Sequence, residues 1–159
     1  MTQTLSPAAP DDWPAIRALL DAASLPTADL QEDHIDRFLV ASGGGAVVGC
    51  VAVEPYGEAG LFRSLAVAPE ARGAGLGGRL TEAAEARARD AGLRRLVLLT
   101  TTAALFFEGR GWVPLDRADV PAAVRRASEF TSTCPASAVC LGKSLFPRHP
   151  GAPRRGTVR

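Results

Sequence analysis

Apolar residues recur along the chain in two rhythms: stripes at helical spacing, and runs that alternate or stay continuous as strands do. "DDWPAIRALLDAA" (11–23) predicts a first helix. Asp11 or Asp12 can cap it, Pro14 falls in its first turn, and Ile16, Leu19 and Leu20 share one face. "LPTADL" follows as a turn or short helical piece. "DRFLVAS" (36–42) and "AVVGCVAVE" (46–54), with three glycines between them, predict two strands joined by a hairpin. "PYGEAG" (55–60) is another turn. "LFRSLAV" (61–67) is apolar on both alternating faces except at Arg63 and Ser64, as a central strand would be.

The second half opens on a glycine-rich loop. "LGGRLTEAAEARARDAG" (76–92) then carries an apolar stripe at Leu76, Leu80, Ala83, Ala84, Ala88 and Ala91, an i,i+4 pair at Glu85 and Arg89, and Gly92 as its stop. "LRRLVLLTT" (93–101) reads as a buried strand, "AALFFEGRG" (103–111) as a short helix, and "WVPL" (112–115) as a short strand. "PAAVRRASEF" (121–130) looks helical, and "SAVCLGKSL" (137–145) is a last strand. Strands and helices interleave without a repeat, which predicts one mixed α/β domain over 1–145.

Composition agrees with a globular domain: 159 residues, 47% hydrophobic and 22% charged, are enough for a real core. The net charge of +1 argues against a nucleic-acid partner held by phosphate neutralisation. "FPRHPGAPRRGTVR" (146–159) carries four arginines and no acid, and so leaves the preceding residues net acidic. That tail reads as a disordered segment, with a nucleic-acid or membrane tether as the sharper alternative. No run approaches a membrane span, and the N-terminus has neither the basic start nor the apolar run of a signal peptide. Three cysteines, Cys50, Cys134 and Cys140, suit a reducing cytoplasm without a disulfide framework.

"RGAGLGG" (72–78) contains G-x-G-x-x-G at Gly73, Gly75 and Gly78. A dinucleotide site needs the first glycine directly after the strand and an acid at the end of the next strand. Here Ala68 to Arg72 intervene, and the next strand ends in Thr100, Thr101 and Thr102. A nucleotide P-loop fails as well, because "GKS" (142–144) lacks a glycine at 137, where Ser137 stands. What fits is strand, proline-bearing turn, glycine loop, helix: a pyrophosphate cradle. Its backbone N–H groups must approach the oxygens closely, and a Cβ would stand in the way. The helix N-terminus adds partial positive charge.

At this point "LAVAPEARGAGLGGRL" resembles the acetyl-CoA motif of the GCN5-related N-acetyltransferases, and "TTTAALFFEGRGW" resembles the strand–helix motif that follows it there. A narrower likeness joins "LLTTTAALFFEGRGW" and "RADVPAAVRRASEFTSTCPASAVCL" to the arsenic-resistance N-acetyltransferases. The resemblance implies a mixed, mostly antiparallel sheet flanked by helices, with acetyl-CoA in a cleft beside the central strand. It implies direct acetyl transfer to a small amine, in arsenic resistance an amino-acid-like toxin, without a metal. A homodimer is common in that superfamily. Carried over residue by residue, Arg72, Gly73, Ala74, Gly75, Leu76, Gly77 and Gly78 would wrap the pyrophosphate. Leu65, Ala66 and Val67 would bind the pantetheine arm, and one N–H there would polarise the thioester. The chain departs from the family at two positions: Phe107 stands where a thiolate-protonating Tyr is common, and Thr100 where Asn is common. The thiolate would then leave as such, or take a proton from another group. Thr100 and Phe107 would still lie at the coenzyme, with Phe106 and Phe107 as core or as a wall beside the pantetheine.

The acceptor amine must lose a proton, and Glu54, Glu58 and Tyr56 cluster around the hairpin before the central strand. Glu54 or Glu58 is the expected base, with plain solvated turn residues as the alternative. Arg63 is expected either to reach solvent at a strand end or to clamp a substrate anion, a carboxylate or arsinate. Arsenite held by thiolates would need three sulfurs, and Cys50 lies in a different strand from Cys140. His34 and His149 form no metal pattern. Two other readings stay open: acetylation of a different amine, such as a protein N-terminus or another antimetabolite, and a module that binds acetyl-CoA or an arsenical without turnover.

Overall fold

The computed structural model describes residues 3–127 and 137–146. Strands β1 (Thr4–Pro7), β2 (Phe38–Gly43), β3 (Ala46–Tyr56), β4 (Ala59–Val67), β5 (Arg95–Thr100), β6 (Val113–Pro114) and β7 (Val139–Ser144) form one sheet in the order β1-β2-β3-β4-β5-β7-β6. Every neighbouring pair is antiparallel except β4 and β5. The sheet is therefore mixed and mostly antiparallel, as expected.

Alternate residues of each strand face opposite sides. On one side, Leu39, Val51, Phe62, Leu96, Leu98 and Leu141 pack under helix α2 (Leu76–Asp90) and the short helix α3 (Ala104–Glu108). On the other side, helix α1 (Trp13–Ala22) lays Trp13, Ile16 and Leu20 on Phe38, Val40, Cys50 and Ala66. Beside it, the single turn α4 (Ala122–Arg125) sets Val124 against Leu61, Val97 and Leu99. Two separate patches thus share this second face, and the residues between them belong to neither apolar cluster.

Strand β4 is irregular in the way that matters most. Cys50 opposes Ala66 but Ala52 opposes Arg63, so Val51 of β3 faces both Ser64 and Leu65. This is a β-bulge, and Ser64 carries it in a left-handed conformation at φ 64°. Pairing between β4 and β5 covers Ala59–Leu61 against Arg95–Val97 and goes no further, although both strands continue. A bulge bends its strand and increases the local twist. Past Leu61 the two central strands part, and a cleft opens between them.

Several boundaries differ from the sequence reading. The strand expected to end at Glu54 runs on to Tyr56, so Glu54 lies inside a paired strand opposite Leu61. The turn narrows to Gly57 and Glu58. The edge strand Thr4–Pro7 and a 3-10 segment at Glu32–Arg37 had no clear apolar period. The helix expected over 121–130 is helical at Ala122–Arg125, and its last residues, like Cys134 and the tail from 147, lie outside the described residues.

The expected Glu85–Arg89 pair does not form. Arg89 donates to the Leu145 carbonyl at 2.8 Å, and Glu85 lies on the buried face of α2. The Glu85 carboxylate accepts from the Trp112 indole at 3.1 Å and from Lys143 at 2.8 Å, and Lys143 also donates to the Arg110 carbonyl. One carboxylate therefore ties α2 to β7 and to the turn after α3. Glu85→Ala leaves the buried Trp112 N–H without its acceptor and Lys143 without its counter-charge, with only the Arg110 carbonyl remaining to the ammonium. It is expected to lower unfolding free energy by about 3 kcal/mol in chemical denaturation, and Glu85→Gln by less. A loss below about 1 kcal/mol would contradict this role.

Candidate active site

The cleft between β4 and β5 leads to a hollow of about 430 Å³ at the N-terminus of α2. Leu65, Ala66 and Val67 line it from the strand, Arg72, Gly73 and Gly75 from the loop, and Leu76, Gly77 and Gly78 from the first helical turn. These residues, expected to act together, are brought together here. Ala74 belongs to the same loop but does not line the hollow.

The loop has the backbone features an anion site requires. Gly73 and Gly75 have φ of 88° and 79°, values that L side chains rarely adopt. A Cβ at either would meet no atom of the protein within 4 Å, so within the fold itself the requirement is conformational. Gly75 is the N-cap of α2, and no side chain caps the helix. The N–H groups of the first turn have no partner within their own helix, and so face the hollow's mouth with the positive end of the dipole. Arg72 donates from Nε to the Val67 carbonyl at 3.1 Å, which ties the loop to the end of β4. Gly78 has a different task. A Cβ there would come within 2.7–2.8 Å of the Arg110 guanidinium, which crosses α2 to reach Glu82.

The opposite wall is supplied by Ala103 and Phe106 rather than by the expected Thr100 and Phe107. Thr100 accepts the N–H of Ala103 at 3.0 Å and of Thr102 at 3.3 Å, and so shapes the entry to α3. Phe107 is buried edge-on against Phe62 and Trp112 in the core. Phe106 sits over Gly77, with the Arg110 guanidinium 5.5 Å from its ring centre.

On the other face of β4, between the α1 and α4 patches, lies a buried polar cluster. Arg63, 4% exposed, neither reaches solvent nor stands alone. Both its terminal nitrogens bond Asp29, Nη2 to Oδ1 at 2.9 Å and Nη1 to Oδ2. Nη1 also lies 3.3 Å from Glu54 Oε2, Nη2 donates to the Pro26 carbonyl, and Nε to the Ser64 hydroxyl. Glu54 further faces Arg37 at 3.4 Å and accepts from the Tyr56 hydroxyl at 3.0 Å. Burial, aided by the Glu54 charge, pushes the Tyr56 phenol up to about 12. Burial also pushes the Asp29 carboxyl up, but the bonds and charge of Arg63 outweigh it and hold the group below the usual carboxylate value.

Glu58 stands apart. It is an exposed turn residue ahead of β4, with about 20 Å of strand between it and Leu65. Its carbonyl accepts from the Arg94 N–H at 2.7 Å. Cys50 and Cys140 are buried in different apolar clusters. Burial raises both thiols, Cys50 to about 12, and the Cys50 thiol donates to the Ser64 carbonyl. Among the described residues no group of His, Cys, Asp or Glu is arranged to hold a metal ion, and no helix is long and apolar enough to cross a membrane.

The sequence reading missed Asp29, Arg37 and the bulge at Ser64. Asp29 and Arg63 are 34 positions apart and meet only in the fold. Nothing in "FRSLAV" marks Ser64 as a bulge.

A family model for the acetyltransferase (GNAT) domain matches residues 34–114, which include β2 to β5, the glycine loop, α2 and α3. The chain belongs to this family. An amino-acid acetyltransferase of Pseudomonas putida (strain GB-1) is 40% identical over 104 residues, which cover 64% of this chain and 24% of that protein. An amino-acid acetyltransferase of Ralstonia nicotianae is 42% identical over 94 residues, covering 58% of this chain and 21% of the relative. The chain thus spans about a quarter or less of the length of these curated relatives. Among solved structures, N-acetylglutamate synthase from Neisseria gonorrhoeae, complexed with coenzyme A and N-acetyl-glutamate, superposes with a TM-score of 0.80 at 25% identity. The match covers 92% of this chain and 36% of that one. Rv2747 from Mycobacterium tuberculosis, in complex with CoA, gives a TM-score of 0.77 at 25% identity over 90% of this chain and 99% of that one.

Proposed function

We propose that the chain transfers the acetyl group of acetyl-CoA directly to the amine of an amino-acid-like small molecule, amino acids bearing an arsenic oxyacid included. The observation that carries this reading is the placement of two dissimilar sites on either side of one parted strand. The glycine loop and the α2 N-terminus supply an anion cradle, and β4 past its bulge supplies backbone donors. The buried Arg63–Asp29–Glu54 cluster supplies charge on the other face. CoA in the two solved relatives and the amino-acid acetyltransferases among the curated ones support the choice of both substrates. The arsenic setting rests on the likeness of residues 98–112 and 117–141 to the arsenic-resistance enzymes.

In this reading Arg72 and the loop amides hold the pyrophosphate, Leu65 to Val67 align the pantetheine arm, and an N–H of β4 stabilises the thioester oxyanion. Arg63 faces the acceptor's anion. Glu54, fixed by Arg63, Arg37 and Tyr56, takes the ammonium proton directly or through water. Glu58 is too distant to share that task. Phe107 has no proton to give, and coenzyme A leaves as thiolate, which is a competent leaving group. Glu54→Gln is expected to lower kcat about 100-fold or more with acetyl-CoA binding unchanged. A kcat within about threefold of the parent would remove Glu54 from the chemistry.

A thiol-release assay with L-glutamate, other amino acids, arsinothricin, a related phosphinate and arsenite tests the assignment. Thiol release with amino acids or arsinothricin, and none with arsenite, is expected. Acetyl-CoA binding without thiol release from any amine would make the chain a binding module instead.

A further inference from the structure

We infer that Asp29 is a specificity-determining residue whose carboxylate occupies the anion-binding side of Arg63 and must be displaced by the anionic group of the acceptor. The inference rests on the acceptor reading above. Arg63 offers its two terminal nitrogens in the fork geometry that suits a carboxylate, and Asp29 takes that fork. The bound carboxylate thus belongs to the chain itself.

Two features separate Asp29 from a fixed partner such as Glu54. Glu54 is borne on β3, inside a continuous ladder. Asp29 is borne on the irregular segment between α1 and the Glu32–Arg37 turn, which enters through Ser24 at φ 58°. Its side chain is also 12% exposed, against 1% for that of Arg63, so it closes the cluster on the solvent side. The segment is held at its ends rather than along Asp29. Leu25 and Leu30 pack in the apolar patch under α1, Thr27 donates to Asp21 at 3.4 Å, and Pro26 lends Arg63 a carbonyl.

Exchange of one carboxylate for another preserves the charge-assisted bonds of Arg63, so the cost lies in moving the segment rather than in baring a buried cation. A neutral acceptor gains nothing by the exchange. Asp29 therefore weakens binding of anionic acceptors by competition and sets how strong an anion the site demands.

The test compares the parent, Asp29→Asn and Asp29→Glu, each saturated with coenzyme A, by calorimetric titration with L-glutamate and with its diamide. Asparagine keeps the size but competes without charge, whereas glutamate keeps the charge. Asp29→Asn is expected to bind L-glutamate about tenfold tighter or more, with the diamide unmoved. Asp29→Glu is expected to stay near the parent. An unchanged or weaker L-glutamate affinity in Asp29→Asn, an equal gain for the diamide, an equal gain in Asp29→Glu, or no L-glutamate binding to any of the three would overturn the inference. A binding gain in Asp29→Asn without thiol release would uphold the exchange while counting against the proposed acetyl transfer.

Discussion

Gly75→Asp is expected to weaken acetyl-CoA binding by two orders of magnitude or more while the protein stays folded. The two effects have opposite signs. Asp tolerates a left-handed conformation better than most residues, and a carboxylate at a helix N-terminus is favourable by ~0.3–1 kcal/mol. The site is open, since a Cβ at Gly75 meets nothing within 4 Å. The fold should thus be unharmed. In the proposed binding mode the same carboxylate would face the pyrophosphate, and one pair of like charges about 5 Å apart costs roughly 3 kcal/mol in a surface environment. That corresponds to roughly a hundredfold in affinity. Gly75→Asn, of the same shape without the charge, should lose only a few-fold. Calorimetric titration with coenzyme A and a thermal melt separate these outcomes. If Asp and Asn weaken binding equally, backbone shape rather than charge governs the cradle. If neither does, the coenzyme's phosphates lie elsewhere.

Arg63→Met is expected to give the largest loss of stability of any single substitution in the polar cluster, about 3–5 kcal/mol at neutral pH. Methionine fills the space, but Asp29 and Glu54 are left beside one another with their shared cation gone. Arg37 still faces Glu54, so Asp29 bears most of the damage. The pH dependence gives the sign of the effect. In the parent, Asp29 titrates below its unfolded value. Its contribution is present above that unfolded value, about 3.9, and is lost as pH falls through the lower folded one. Without Arg63, the largest cause, burial, is opposed only by a backbone hydrogen bond and the His34 charge, and the group is expected to rise. Denaturation curves should therefore show a penalty that is greatest near neutrality and shrinks toward about pH 4 as Asp29 takes a proton. Asp29→Asn added to Arg63→Met should recover part of the loss at neutral pH. A penalty independent of pH would mean that Arg63 contributes packing rather than charge.

The parts of the molecule that could be read from the chain are those whose causes are local. Glycines at 73 and 75 need positive φ whatever surrounds them, and the Leu76–Ala88 stripe buries the same face in any α/β context. Those two features, with the strand before them, placed the residues that line the hollow at the α2 N-terminus. The acceptor side was harder, because its geometry arises from contacts between distant segments. Arg63 stood out as a charge in a buried strand, but its partner Asp29 lies in a polar stretch with no period of its own. Glu85 shows the same limit. Its spacing suggested Arg89, yet burial against Trp112 and Lys143 outweighs an exposed i,i+4 pair, which is worth only ~0.2–0.5 kcal/mol. The parting of β4 from β5 follows a bulge at Ser64, which no residue type in "FRSLAV" demands.

Acetyl-CoA labelled in its acetyl group, mixed with this chain and L-glutamate and followed by mass spectrometry through a single turnover, tests the central claim most directly. The label is expected on the nitrogen of the amino acid at the rate at which free thiol appears, with none retained on the protein at any time. Label that remains on the coenzyme for L-glutamate and every other amino acid tried, or that collects on a side chain of the protein, would contradict direct transfer across the parted strand.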